Sequence, residues 1–451
     1  MGQLCAGFSR VDITPMMGIP IAGYYKPRFA EAVLDNLEIN ALALSCGDDK
    51  AVLMSADLCG IKRTQAKALA DAVAAATGLP AEAVYLHATH THTGPVLPGD
   101  GEAAPNALVE EYFTFLCRRF ADAAQMALAD LKPARMGYGV GQAPNIAFIR
   151  RFRMKDGSIK TNPGVDNPDI VEPIGQVDER VNVVRFDRKG GDTLILVNFG
   201  DHPDVVGGSK ISADWPGFLR RTVEKTLPHT RCLFFNGAQG DVNHVNVHPT
   251  GGYLNDMFMD FDDVARGYGH ARYMGRVVAG GVLQAYDKVK YVDVDSLRFS
   301  QRTIRIPANR PTAEEIPEAH RIHALHTAGR DSELPYEGMM LTTVVAEAQR
   351  MVELEHGPDF FDMELSAVAV GNVALIGVPG EPFNGIGLGL KAAEGWDLVC
   401  PCCLVNGSEA YFPMRECYEE GGYEARSSSM KAGCAELIIE EGTQLLASLR
   451  G

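Results

Sequence analysis

The stretch Val84-Tyr85-Leu86-His87-Ala88-Thr89-His90-Thr91-His92-Thr93-Gly94-Pro95 decides the reading of this chain. Val84-Tyr85-Leu86 is an apolar run that reads as a strand. In extended backbone, side chains two apart point to the same side. His90 and His92 are therefore expected to face one space together at the end of a strand. Imidazole ligates metals and titrates near neutral pH. A His-x-His pair between hydroxyl residues and a Gly-Pro turn reads as part of a metallohydrolase site. Two solvated loop histidines are the competing reading.

Working outward, strand-like and helix-like segments alternate. Strands are expected at Ala51-Val52-Leu53-Met54, Thr193-Leu194-Ile195-Leu196-Val197 and Arg231-Cys232-Leu233-Phe234-Phe235. Helices are expected at 62–77, 108–131, 217–226, 263–286, 340–355 and 431–448. The first has Ala66, Leu69, Ala70, Val73 and Ala74 on one stripe and stops at Gly78 and Pro80. Residues 367–376 read as a hairpin turning at Gly371-Asn372. The fold class is α/β, a mixed β-sheet core with flanking helices. Residues 1–451 are expected to form a single domain. Two long irregular stretches stand out, 155–178 and 246–262. The second ends in Asp260-Phe261-Asp262-Asp263, read as the exposed start of the next helix.

Composition narrows the function. A formal net charge of −16 argues against binding nucleic-acid phosphates and anionic membranes. No run approaches the roughly 18 apolar residues that span a bilayer. Neither a transmembrane segment nor a signal peptide is read, so stable membrane insertion is not expected and a cytoplasmic location is. Apart from the Cys400-Pro401-Cys402-Cys403 run the ten cysteines sit singly in strand-like or helical patterns, and they read as reduced thiols. Cys59 follows a strand and could serve as a nucleophile, but a buried thiol is the plainer reading. No G-x-S-x-G elbow, P-loop or HExxH occurs.

Polar constellations follow five strand ends, where sites form in α/β sheets. They are His90 with His92, Asp201-His202-Pro203-Asp204, Gly237 to His244, Pro379-Gly380-Glu381-Pro382, and Asn406 to Tyr411. Two imidazoles and a carboxylate suit zinc with a position left for water. Pro382 is expected to pre-set a helical turn and so place Glu381 near a helix N-terminus. Asp201 or Asp204 is expected to bond His202, either as a plain polar contact or to orient a metal-bound ring.

These residues also carry a resemblance. Ala6-Gly7-Phe8-Ser9-Arg10-Val11-Asp12-Ile13-Thr14-Pro15 resembles the opening of the neutral/alkaline non-lysosomal ceramidase superfamily. So do the His90–His92 motif, His202-Pro203 with Ile211-Ser212-Ala213-Asp214-Trp215-Pro216-Gly217, and Gly240-Asp241-Val242-Asn243. Glu381 and Tyr411 through Tyr423-Glu424-Ala425 complete the series in chain order. The resemblance implies one catalytic zinc per chain, held by His90, His202, Glu381 and Tyr411. It implies proton transfer by His92, carbonyl polarisation by Tyr423, and an arginine at the site, Arg150 before Arg151. Asp241 and Asn243 are carried over to the substrate end. Asn243 stands where the family has serine, which puts ceramide itself in doubt. The family's C-terminal immunoglobulin-like domain is not expected.

The expectation is a zinc-dependent hydrolase (an amidohydrolase) cleaving an amide, ester or lactone in a small polar molecule. Three alternatives stay open: an N-acyl lipid amidase, a non-hydrolytic metal-binding protein, and a zinc-assisted lyase or isomerase. A homo-oligomer is the base-rate expectation for a soluble enzyme.

Overall fold

The computed structural model describes residues 2–99, 106–252 and 267–450. The acidic-aromatic run Asp260 to Asp263 lies outside these residues. Two sheets carry the architecture. The larger contains β1 (Leu4–Asp12), β2 (Glu38–Cys46), β3 (Asp49–Ala56), β4 (Val84–Ala88), β5 (Lys132–Gln142), β6 (Arg180–Arg188), β7 (Thr193–Phe199), β8 (Thr230–Asn236) and β9 (Lys290–Val292). Its order is β8-β7-β6-β5-β1-β2-β3-β4, with β9 beside β5. The smaller sheet runs β10 (Leu297–Pro307), β11 (Phe360–Val370), β12 (Val373–Gly377), β13 (Leu398–Cys402). The hairpin between β11 and β12 turns at Gly371, whose φ of 56° suits glycine.

The helices follow the apolar periodicity. α1 (Arg63–Thr77) buries Ala66, Leu69 and Val73 and ends on the left-handed Gly78. α2 (Ala107–Ala129) starts where the Asn106 side chain accepts the Leu108 N–H, and buries Val109, Tyr112, Leu116, Phe120 and Ala127. The remaining main helices are α3 (Asp214–Thr226), α4 (Tyr268–Tyr286), α5 (Ile316–Thr327), α6 (Gly338–Leu354), α7 (Asn384–Lys391), α8 (Tyr423–Ser427) and α9 (Cys434–Ser448). The sequence reading did not find α5. It also took 155–178 as irregular, where short strands form at Ile159–Thr161 and Ile170–Pro173.

Within these two sheets most neighbouring strands are antiparallel, but three pairs are parallel: β3/β4, β7/β8 and β12/β13. Each is joined by a crossover through one helix, α1, α3 and α7 respectively. The large sheet curls until its two edges meet. Ser55 Oγ on β3 donates to the Phe234 carbonyl on β8 at 2.5 Å. His87 Nε2 on β4 accepts the Asn236 N–H at 2.9 Å, while its Nδ1 lies 2.9 Å from Ser55 Oγ. Burial, then the neighbouring His90 charge, lowers the His87 pKa to about 3. A neutral ring with Nδ1–H satisfies both contacts. β13 docks on the same seam, where Cys403 N–H donates to the Asn236 carbonyl at 3.0 Å. The carboxyl ends of all three parallel pairs therefore converge, and every expected site loop leaves from one of them.

Candidate metal centre

His90, His202 and Glu381 meet at this convergence. Glu381 Oε2 lies 3.2 Å from His90 Nε2 and 3.1 Å from His202 Nε2. His92 Nε2 is 3.2 Å from His90 Nε2. The Tyr411 hydroxyl is 3.4 Å from His202 Nε2. All four expected ligands and His92 thus share one buried cleft.

The backbone reaches this arrangement differently from the sequence reading. β4 ends at Ala88, and His90 has φ 79°, so the His-x-His segment is not extended. The turn is held from outside. Thr91 Oγ1 and Thr93 Oγ1 donate to the Ser212 carbonyl at 2.6 and 3.1 Å, and Thr89 Oγ1 donates to Asp57 at 3.3 Å. The threonines anchor the loop to the frame and leave the imidazoles for the cleft. Glu381 also departs from expectation. Glu381-Pro382 pairs in parallel with Tyr411-Phe412, and α7 starts only at Asn384. That bridge sets Glu381 and Tyr411 side by side across the register.

Both of these histidines, His90 and His202, are oriented through the other nitrogen. His90 Nδ1 lies 2.6 Å from the Cys59 carbonyl. His202 Nδ1 lies 2.8 Å from the carbonyls of both Gln239 and Val242. These carbonyls hold the Nδ1 side of each ring and turn Nε2 toward the cleft. The orienting groups of His202 are thus backbone oxygens and not Asp201 or Asp204. Asp201 is buried, and burial, then Asp204, raises its pKa well above the ordinary value. Trp215 Nε1 on α3 donates to the His202 carbonyl at 3.3 Å, which ties the Asp214-Trp215 signature to the site.

The electrostatics separate the three histidines. Burial opposes charge on His90, but the Glu381 carboxylate overrides it and raises the pKa. Burial would likewise raise Glu381, yet His90 holds it well below the usual carboxylate range. The two directions agree on an ion pair. Burial and the His90 charge push His92 well below its ordinary value, so it is neutral at pH 7. Burial and Arg150 lower His202 too.

Arg150 faces the site and Arg151 does not. Arg150 Nε pairs with Glu424 at 2.6 Å, Nη2 donates to the Gly240 carbonyl at 2.8 Å, and Nη1 lies 3.3 Å from His202 Nε2. Its guanidinium carbon sits 5.4 Å from the Tyr411 ring centre. Arg151 instead bonds Cys417, Glu420 and Gly421. Tyr423 joins the cluster with its ring 5.5 Å from that of Tyr411. Asp241 and Asn243 lie next to Arg150 along the backbone pairing: the Arg150 N–H donates to the Asp241 carbonyl at 3.0 Å, and Asn243 pairs with Phe148. The Asp241 carboxylate accepts the Asn384 N–H at 2.7 Å, at the start of α7. Asn243 bonds Asn162 and the Val245 N–H, and is 1% exposed.

One wall was missed by the sequence reading. Gly23, at φ 105°, lies flat on His92: a Cβ there would sit 2.7 Å from the ring. Tyr24 meets the His92 ring edge-on at 5.6 Å, and Arg28 stacks on Tyr24 at 4.0 Å while donating to the His92 carbonyl at 2.7 Å. The Tyr25 hydroxyl is 3.4 Å from that of Tyr423. The available signal was a Gly-Tyr-Tyr run with a nearby arginine, weak by itself.

Among solved structures, neutral ceramidase from Pseudomonas aeruginosa is similar to this chain with a TM-score of 0.73. The fold is that of neutral ceramidase. The likeness covers 100% of this chain and 76% of that one at 20% identity. A ceramidase complexed with C2 is similar at TM-score 0.72 and 19% identity, with the same coverage. No protein-family model and no curated protein matches the sequence.

Proposed function

We propose that this chain is a zinc-dependent hydrolase that cleaves an amide bond in a small polar substrate, with esters and lactones open to the same chemistry. The observation that carries the reading is the convergence of His90 Nε2, His202 Nε2 and a Glu381 oxygen within 4.8 Å, both distal nitrogens being tied to backbone carbonyls. The donor types fit a divalent cation, with Tyr411 as the fourth ligand. Such an ion, when bound, polarises a carbonyl and makes water acidic.

The chain's own residues supply the rest. Neutral His92 is buried, and its Nδ1 has no hydrogen-bond partner among the described residues. It is the base that takes a proton from the attacking water and returns it to the leaving nitrogen. Burial, then the Tyr25 phenol, keeps Tyr423 protonated well past its ordinary pKa, so it donates to the substrate carbonyl. Burial and Glu381 also raise the Tyr411 pKa, while Arg150 works against them. Arg150 thus favours the ionised phenol that a ligand role requires. No helix among the described residues is long and apolar enough to cross a membrane. Ten free thiols fit a cytoplasmic location.

The test couples metal analysis to isotope incorporation. Wild type is expected to hold about one zinc per chain, lost in His90→Ala/His202→Ala, and to place solvent ¹⁸O in the carboxylate product of an N-acyl amide panel. Wild type without metal, or product without ¹⁸O, sinks the reading, and the second result favours a lyase or isomerase. The ceramidase fold favours a second reading, an N-acyl lipid substrate. Rates rising steeply with acyl length across the panel would establish it in place of a small polar one.

A further inference from the structure

We infer that Cys59, His90 and His92 form a second metal position, overlapping the first, that takes thiophilic cations. Cys59 follows β3, beside the convergence of strand ends, and is half-buried where the sequence reading expected a buried thiol. Its Sγ lies 3.9 Å from His90 Nδ1. One ligating atom from each of Cys59, His90 and His92 lies within 4.8 Å of the other two, the same closeness that His90, His202 and Glu381 show. Among the described residues these are the two such groups. His92 presents its Nε2 to the same space, 3.2 Å from His90 Nε2, and is 9% exposed.

The two positions differ in chemistry. Glu381 gives the first an oxygen donor, which suits zinc and harder ions. A thiolate with imidazoles suits cadmium and other soft ions. On binding, the thiol releases its proton to solvent and the sulfur bonds the metal. His90 is common to both groups, and its Nδ1 is engaged by the Cys59 carbonyl at 2.6 Å, so the ring offers one nitrogen to the cleft. It therefore serves one ion at a time, and the positions exclude each other. An ion at the second position also ties up His92, the proposed proton carrier. Metal softness thus selects between a working and a poisoned centre.

The experiment titrates full-length protein with cadmium chloride and follows the ultraviolet thiolate-to-cadmium charge-transfer band. A band saturating near about one cadmium per chain is expected in wild type and not in Cys59→Ser. His92→Ala is expected to weaken it by about tenfold or more. Cys5 and Cys117, the other partly exposed thiols, belong to no such cluster and are not expected to contribute. No band in wild type, an equal band in Cys59→Ser, or an unchanged affinity in His92→Ala overturns the inference. The readout needs no substrate and no zinc. Failure of the hydrolase reading would appear instead in zinc content and ¹⁸O incorporation.

Discussion

At the residue scale, His92 shows how little room the proposed chemistry has. Its ring is pinned by His90 on one side and by Gly23 and Tyr24 on another. Gly23→Ala would put a methyl group 2.7 Å from the ring, at a φ that L residues rarely adopt. The expected outcome is a kcat loss of about a hundredfold, because the ring must shift by roughly an ångström, with zinc content unchanged. Parallel kcat and metal measurements on Gly23→Ala check this, and equal loss of metal and activity would contradict it. Asp214 offers a cleaner pH test away from the cleft. Burial raises its pKa from 3.8 to about 7, although its oxygens accept the Val206 and Trp215 N–H groups. The folded state therefore binds the proton more tightly than the unfolded one. Its stabilising contribution is complete below about pH 4 and is lost as pH rises through about 7. The stability of wild type minus that of Asp214→Asn should fall across that window by up to about 1.4 kcal/mol per pH unit, and denaturant midpoints from pH 4 to 8 read it. The motif residues were legible because histidine, carboxylate and tyrosine announce their chemistry. Gly23 and Tyr25 were not, since their roles exist only once distant loops meet.

At the element scale, the first two βαβ units are held in relative place by buried charge. Asp57, just after β3, takes a two-pronged bond from Arg220 on α3, at 2.9 and 2.6 Å. Asp57 is fully buried and Arg220 is 3% exposed. Burial lowers the Arg220 pKa, but Asp57 and Glu38 outweigh it and raise the net value. Removing one partner strands the other charge, which costs about 3–5 kcal/mol, whereas an apolar replacement of both recovers much of the loss. Asp57→Ala should therefore lower urea stability by that amount, and Asp57→Leu/Arg220→Met by clearly less. A double variant as unstable as the single one would show that the pair is not what joins these units. Most elements were legible from periodicity, as α1 and α2 show. Glu381-Pro382 was not. A proline after a strand end reads locally as the first turn of a helix, and the strand that captures it, Tyr411-Phe412, lies 30 residues further on.

At the scale of the whole molecule, the proposed ligands come from three parallel strand pairs: His90 after β4, His202 after β7, and Glu381 with Tyr411 after β12 and β13. The α/β class and mixed sheet were readable from the order of segments. The curl that brings β4 against β8 was not, because it rests on Ser55, His87 and Asn236, three polar residues with no periodic signature. A metal at this junction would join segments more than 300 residues apart in the chain, so its binding energy is folding energy. With free zinc at about a thousand times its dissociation constant, the gain is about 4 kcal/mol. The unfolding entropy of a chain this long is about 0.9 kcal/mol per kelvin, so the melting temperature should rise by only about 4 °C. Calorimetry with zinc and with a chelator measures that shift. His90→Ala/His202→Ala should abolish it while leaving the zinc-free melting temperature near that of wild type. Cys59→Ser should keep it, since the thiol lies outside the zinc ligand set. A zinc shift that survives in the double variant would move the cation away from this junction, and the convergence of strand ends would then be architecture alone.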